Sequence, residues 1–412
     1  NVGGNVANAG NIYLTGGTLG KTISGAGTTN VTGSVTSNSA INQGINITNA
    51  GGLTINAGNV GGNVANAGNI YLTGGTLGKT ISGAGTTNIT GGVTSNAAIN
   101  QAILITTAGT LTTNAAYVGG NVSNAGKLNL SGGTLNKAVN GAGSTTITGN
   151  LTNTGGINQA VTVNSGVTLT NNAALGSSTG VITNAGTINT NASNIKGTVT
   201  NNNNLTLTGG TLSKAVSGTG TTNVTGAVIS NSAISQAISI AAAGDLTIGA
   251  GNVGGAVSNA GKLKLTGGTL NKAVSGAGST TITGNLTNTG GINQAVTINS
   301  GVTLTNNAAL GSNTGAITNS GIINTSASNI KGTVTNNNNL TLTGGTLAKA
   351  VSGTGTTNVT GTVTSNSAIS QAINIAANTG DLTIAAGNVG GAVSNAGKLK
   401  LTGGTLNKTV SG

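Results

Sequence analysis

The sequence predicts an all-β chain wound as a right-handed parallel β-helix, or β-solenoid, and three observations predict it. One hexapeptide recurs at nearly constant spacing along the chain, which is the mark of a stacked repeat array. Short runs of alternating apolar residues are punctuated by Gly and Asn, as strands and their turns are. The residues that would interrupt a doubly paired strand or overfill a thin core are missing: the 412 residues include 75 Gly but no Pro, Met, Trp or Phe.

The hexapeptide is LTGGTL, once LSGGTL. It begins at Leu14, Leu72, Leu130, Leu207, Leu265, Leu342 and Leu401, so successive starts advance by 58, 58, 77, 58, 77 and 59. The long spacing exceeds the short by 19, and both divide into units of about 19.3. The expectation is therefore one array over residues 1–412, in units of 58 or 77 residues, winding about 21 coils of 19–20 residues with no caps evident. At about 4.8 Å per coil that makes a rod on the order of 100 Å. The single odd spacing comes from one extra residue near Ala377 to Gly380, where AANTGDLTI replaces AAAGDLTI, and a Gly-flanked corner tolerates such an insertion better than a strand does.

Within the unit, Ile12 and Leu14 flank Tyr13, Ile45 and Ile47 flank Asn46, and Leu53 and Ile55 flank Thr54. Period two places each pair on one side of a strand. Asn and Gly at the breaks tolerate positive φ and turn the corners. A coil of this size cannot stand alone. Ordering its backbone costs roughly 1–2 kcal/mol per residue, against about 1.5–3 kcal/mol for each buried aliphatic side chain. Stacking supplies a ladder partner for every strand and a continuous core. Pro would delete a donor from such a ladder, and parallel crossovers are right-handed almost without exception.

The composition excludes most enzymes. Charged residues make up 4% of the chain: 14 basic residues, all Lys, and two acids, Asp245 and Asp381, for a net charge of +12. His, Cys and Glu are absent, so no Ser has an activating base and no metal-ligand spacing exists. Catalytic, cofactor-binding and metal residues are all expected to be none, and so is any cofactor. Asp245 and Asp381 lie about seven coils apart on this winding, too far to act as a pair, and are expected to hold turns. No run of about 18 apolar residues and no signal segment is present, so this segment is expected not to insert in a membrane. The absence of Cys suits a chain exported unfolded.

The coil pattern, as in NAGKLNLSGGTL from Asn124 to Leu135 and NAGTIN from Asn184 to Asn189, resembles the β-solenoid shafts of secreted bacterial adhesins, namely filamentous-haemagglutinin-type exoproteins and autotransporter passengers. The likeness spans essentially the whole chain and is one of period and composition. It implies an extracellular, cell-surface location and a role in adhesion, biofilm or display. The family's amino-terminal secretion module and carboxy-terminal membrane barrel have no counterpart in these residues.

Several motifs imitate chemistry. Gly16, Gly17, Thr18, Leu19, Gly20, Lys21, Thr22 is one residue short of a phosphate-binding loop, and the equivalent Asn136, Lys137, Ala138 lacks its glycine and hydroxyl. It is expected to be a corner with a solvated Lys. Lys follows each GGTL by two residues, at Lys21, Lys79, Lys137, Lys214, Lys272, Lys349 and Lys408. With three or four coils between copies, these seven are expected to line up as one column, either solubilising a corner or contacting acidic polysaccharide or extracellular DNA. Sequence-specific nucleic-acid binding is not expected, since Arg is absent and only three Tyr are aromatic. Tyr13 and Tyr71 are expected at one outward position three coils apart. Outward Thr rows such as Leu205, Thr206, Leu207, Thr208 resemble ice-binding lattices, but the run returns only every three or four coils.

Both terminal segments follow the repeat. The expected function is thus a non-catalytic structural shaft of a bacterial extracellular adhesin or filament. Its partners are other copies of itself, joined head to tail, or further repeats of the same chain, and acidic glycans are the alternative ligand.

Overall fold

The structure is a computed structural model that describes residues 4–385 and 387–412. Period-two alternation becomes strands of two to nine residues. In Asn69–Leu72, for example, Ile70 and Leu72 are fully buried while Tyr71 faces out. Strand accounts for 54% of the chain and helix for 4%, the latter single 3-10 turns such as Ala57–Asn59 and Ala115–Tyr117 at corners. Asn56 and Asn114 hold these turns by accepting from the backbone N–H of Gly58 and Ala116. The chain divides into two compact units, Asn1–Leu205 and Thr206–Gly412, and each is a parallel β-solenoid; together they make about 24 turns.

Each coil has three strand faces. In the first unit Asn11–Leu14, Gly17–Leu19 and Ile23–Ser24 lie on successive faces. The next strand, Thr28–Val31, then pairs back on Asn11–Leu14 in parallel, and all pairings described are parallel. Gly supplies the corners. Gly75 has φ +87, and a Cβ there would meet Asn56 Oδ1 of the coil beneath. The core is the inward row of each face. Val35, Leu53, Ile70, Thr87, Ile103, Val122, Val139, Ile157 and Leu175 stack in that order, each at most 3% exposed and all but Thr87 aliphatic. Each such side chain contributes about 1.5–3 kcal/mol, and none stands without a neighbour above and below.

The coil is shorter than the spacing arithmetic implied. Ten coil-to-coil steps carry one row of the first unit from Gly17 to Ile195, a mean advance of about 18 per coil. In the second unit eleven steps carry a row from Gly210 to Leu406, which gives the same mean. Coils as short as Val31 to Ile47 stand in the same stack as coils as long as Val161 to Ile182.

The sequence repeat is therefore not a whole number of coils. Starting from Leu14, three coils pass through Val31 and Ile47 to Asn66. Leu72, a short stretch further on, lies over Ile55 on the next face. Leu130 lies over Thr113, on the third face. A short copy spans three coils and one face. A long copy spans four coils and one face, as from Leu265 through Ile282, Ile298 and Asn319 to Asn336, with Leu342 on the next face over Thr325. The difference between long and short copies is one coil, as expected; the remainder of each copy includes an extra third. The inserted residue near Ala377 falls at a corner, where Asn378 is the only non-Gly residue of positive φ among those described.

Candidate functional surfaces

The face advance redistributes every recurring side chain. Lys21 sits on the edge between Leu19, in the row of Leu72, and Ile23, in the row of Val6 and Ile41. Lys79 precedes Ile81, in the row of Val64 and Ile45. Lys137 precedes Val139, in the row of Val122 and Ile103. The expected single column does not form. Lys21, Lys79 and Lys137 stand on three different edges of the first unit, and Lys214, Lys272 and Lys349 on three edges of the second. Only with Lys408, after Leu406 in the row of Val351 and Val389, does the face of Leu212 recur. Lys214 and Lys408 are then some eleven coils, roughly 50 Å, apart. All seven are exposed or half-exposed.

Tyr13 and Tyr71 are separated in the same way. Tyr13 lies beside Asn30 on one face and Tyr71 on Thr54 on the next, so they form no stacking pair. Asp245 and Asp381 open strands, Asp245–Ile248 and Asp381–Ile384, and do not sit within turns. Each is in register with a Lys one coil on, Asp245 with Lys262 and Asp381 with Lys398. Shallow grooves pass these steps: one of about 410 Å³ runs by Asp245, Lys262, Lys264, Ser279 and Thr281, and one of about 290 Å³ by Asn378, Asp381 and Lys398. The two Asp occupy different faces, which rules out joint catalysis. Gly17–Leu19 of the apparent phosphate loop is a strand, and the backbone N–H of Thr22 donates to Asn5 Oδ1 at 3.2 Å, so no anion cradle forms. Among the described residues, no group of three or more His, Cys, Asp or Glu is placed to hold a metal.

No family model, curated protein or solved structure matches this chain.

What faces solvent is a set of hydroxyl and amide rows. Thr76, Thr94, Thr112, Asn129, Thr146, Thr162, Thr183 and Thr200 occupy successive coils at one outward position. None of them is buried. Thr thus recurs on almost every coil, contrary to the expectation from the LTLT run, because different segments of the repeat supply it in turn: GGTL, VTS, LTT, TTI. β-branched residues suit a half-exposed pleated surface, and water satisfies their hydroxyls.

The polar interior went unread in the sequence. All six Gln are buried at 5% exposure or less, and each donates from Nε2 to the hydroxyl of a buried Thr that precedes it by 14 residues: Gln43 to Thr29, Gln101 to Thr87, Gln159 to Thr145, Gln236 to Thr222, Gln294 to Thr280, Gln371 to Thr357, at 2.6–2.8 Å. Buried Asn amides join coils as well, Asn153 to Asn171 and Asn319 to Asn336, both at 2.7 Å. The available signal was the recurrence of a Thr pair with a Gln at this one fixed separation. These groups join coils inside the solenoid and are buried.

Proposed function

We propose that the chain is a non-catalytic structural shaft of a bacterial extracellular adhesin or filament, continued by further repeats of the same chain or by head-to-tail copies. The observation that carries this reading is the one-face advance. It gives all three sides of a unit the same kinds of outward residue and concentrates no reactive groups anywhere. A uniform side wall suits a spacer that holds something else at a distance. Coil-to-coil ladders and the Gln–Thr and Asn–Asn bonds suit load-bearing along the stack. The recurring lysines, dispersed over separate edges, give a reading as an acidic-glycan or DNA-binding module no column of charge to rest on.

The test is to raise antibodies to this segment and label intact cells, then image the purified native protein by electron microscopy. The reading expects surface labelling and elongated particles. Labelling only after permeabilisation, or compact particles, would overturn it, and so would turnover in a polysaccharide-hydrolysis screen.

A further inference from the structure

The repeat and the coil are out of phase by one face, and that phase has a consequence for copy number. Removing residues 72–129 would join Tyr71 to Leu130. Leu130 would then take the place of Leu72 over Ile55, and Thr146 that of Asn88 over Tyr71. Inward positions stay inward, because Leu72 and Leu130, and Ile89 and Ile147, are all fully buried in equivalent strands. Polar interior pairs survive, because Gln101 with Thr87 and Gln159 with Thr145 are the same pair one copy apart. What changes is direction: every following strand of the unit moves to the neighbouring face.

We propose that the copy is an exchangeable block that acts as a built-in phase device. Gain or loss of one short copy changes the length of the stack by three and a third coils, about 16 Å, and turns every later strand of its unit by a third of a turn. Three copies restore the original facing, as the return of Leu406 to the face of Leu212 illustrates. Whole blocks keep the inward and outward alternation; a change of one residue inside a strand inverts it. This holds whether or not the chain carries an adhesin.

Cysteine cross-linking tests it, since the chain has no Cys of its own. In the full chain Tyr71 is followed on its row by Asn88, Leu104, Ser123 and Asn140, and Thr146 lies one face beyond, so the two positions are about 19 Å apart along the stack. In the deletion variant they become neighbours on adjacent parallel strands about 4.8 Å apart, within disulfide reach. Tyr71→Cys with Thr146→Cys should therefore give an intrachain disulfide, read as monomer by non-reducing mass, only when residues 72–129 are removed. Far-UV circular dichroism per residue should stay the same. A second variant duplicates residues 72–129 and carries the same two substitutions; it should fold without the cross-link. A third removes only residues 72–128 and should lose both cross-link and cooperative melting. The proposal fails if the block deletion and the block duplication both unfold, if the folded deletion does not cross-link, if the full-length or duplicated chain cross-links equally, or if the deletion that is one residue short matches the whole-block one.

Discussion

Gln101 Nε2 donates to Thr87 Oγ1 at 2.7 Å across the interior of the solenoid, with Gln101 5% exposed and Thr87 not at all. Thr87 is otherwise one more member of an inward row, between Ile70 and Ile103. Substituting Thr87→Val preserves its shape and leaves a buried amide without an acceptor, which costs about 1–3 kcal/mol. Gln101 Oε1 is already buried without a partner among the described residues. Adding Gln101→Met therefore removes both unsatisfied groups at similar volume, and the double variant should recover most of the loss. Urea midpoints of the two single variants and the double variant measure this. A Thr87→Val variant as stable as the parent would show that the pair carries no weight.

Asn184 is a fully buried amide of the first unit with three hydrogen bonds. Its Nδ2 donates to Asn201 Oδ1 at 2.7 Å and to Asn204 O at 2.9 Å, and its Oδ1 accepts from Gly186 N–H at 3.1 Å. Three bonds at about 1 kcal/mol each make Asn184→Ala cost about 3 kcal/mol. The exposed Asn203, with one bond of 3.3 Å to Ala185 O, should tolerate Ala within about 0.5 kcal/mol. Equal melting temperatures for the two variants would contradict the interior role of Asn184.

The fold was legible because the alternation around residues such as Ile12, Leu53 and Leu128 and the absence of Pro are direct consequences of doubly paired strands. The winding length was only half legible. The increment that separates a long copy from a short one is one coil, yet dividing a short copy by it assumes that a copy closes on the face where it began. Nothing in a strand's sequence names its face: Leu14, Leu72 and Leu130 have near-identical surroundings on three different faces. The Lys column and the Tyr13–Tyr71 pair failed for that reason alone. The Gln–Thr pairs were hidden because polarity alone points a side chain to solvent, although period two sets Gln101 on the inward side with Ile99, Ile103 and Ile105.

Backbone conformation separates glycines that look alike in sequence. Gly75 sits at φ +87 with Asn56 Oδ1 where a Cβ would go, while Gly78, three residues later, has nothing within 4 Å and no left-handed φ. Gly75→Ala should cost at least about 1–2 kcal/mol from the left-handed conformation alone. Gly78→Ala should be neutral or gain up to about 1 kcal/mol through the unfolded chain. Thermal melting of the two variants side by side decides it, and a harmless Gly75→Ala would refute the corner geometry.

The dispersal of lysine makes a quantitative statement about polyanions. The seven recurring Lys are distributed over three edges of each unit, and Lys214 and Lys408, which share one, are roughly 50 Å apart; spacings well beyond a screening length of about 8 Å at physiological salt keep them from acting together on one segment of a polymer. Closer lysines do occur: Lys331 and Lys349 precede Val334 and Val351 on adjacent coils, and Lys262 with Lys264 and Lys398 with Lys400 form doublets, each with an Asp one coil away, at Asp245 and Asp381. A net charge of +12 spread in this way should retain the protein on heparin only at low salt. Lys21→Gln, Lys79→Gln and Lys137→Gln should each lower the eluting salt by a similar small step, with additive effects, because no two share an edge. Asp245→Asn should raise it by a comparable step by unmasking Lys262. Retention at physiological salt that one substitution abolishes would instead reveal a local anion site and overturn the reading of these lysines as solubilising charge.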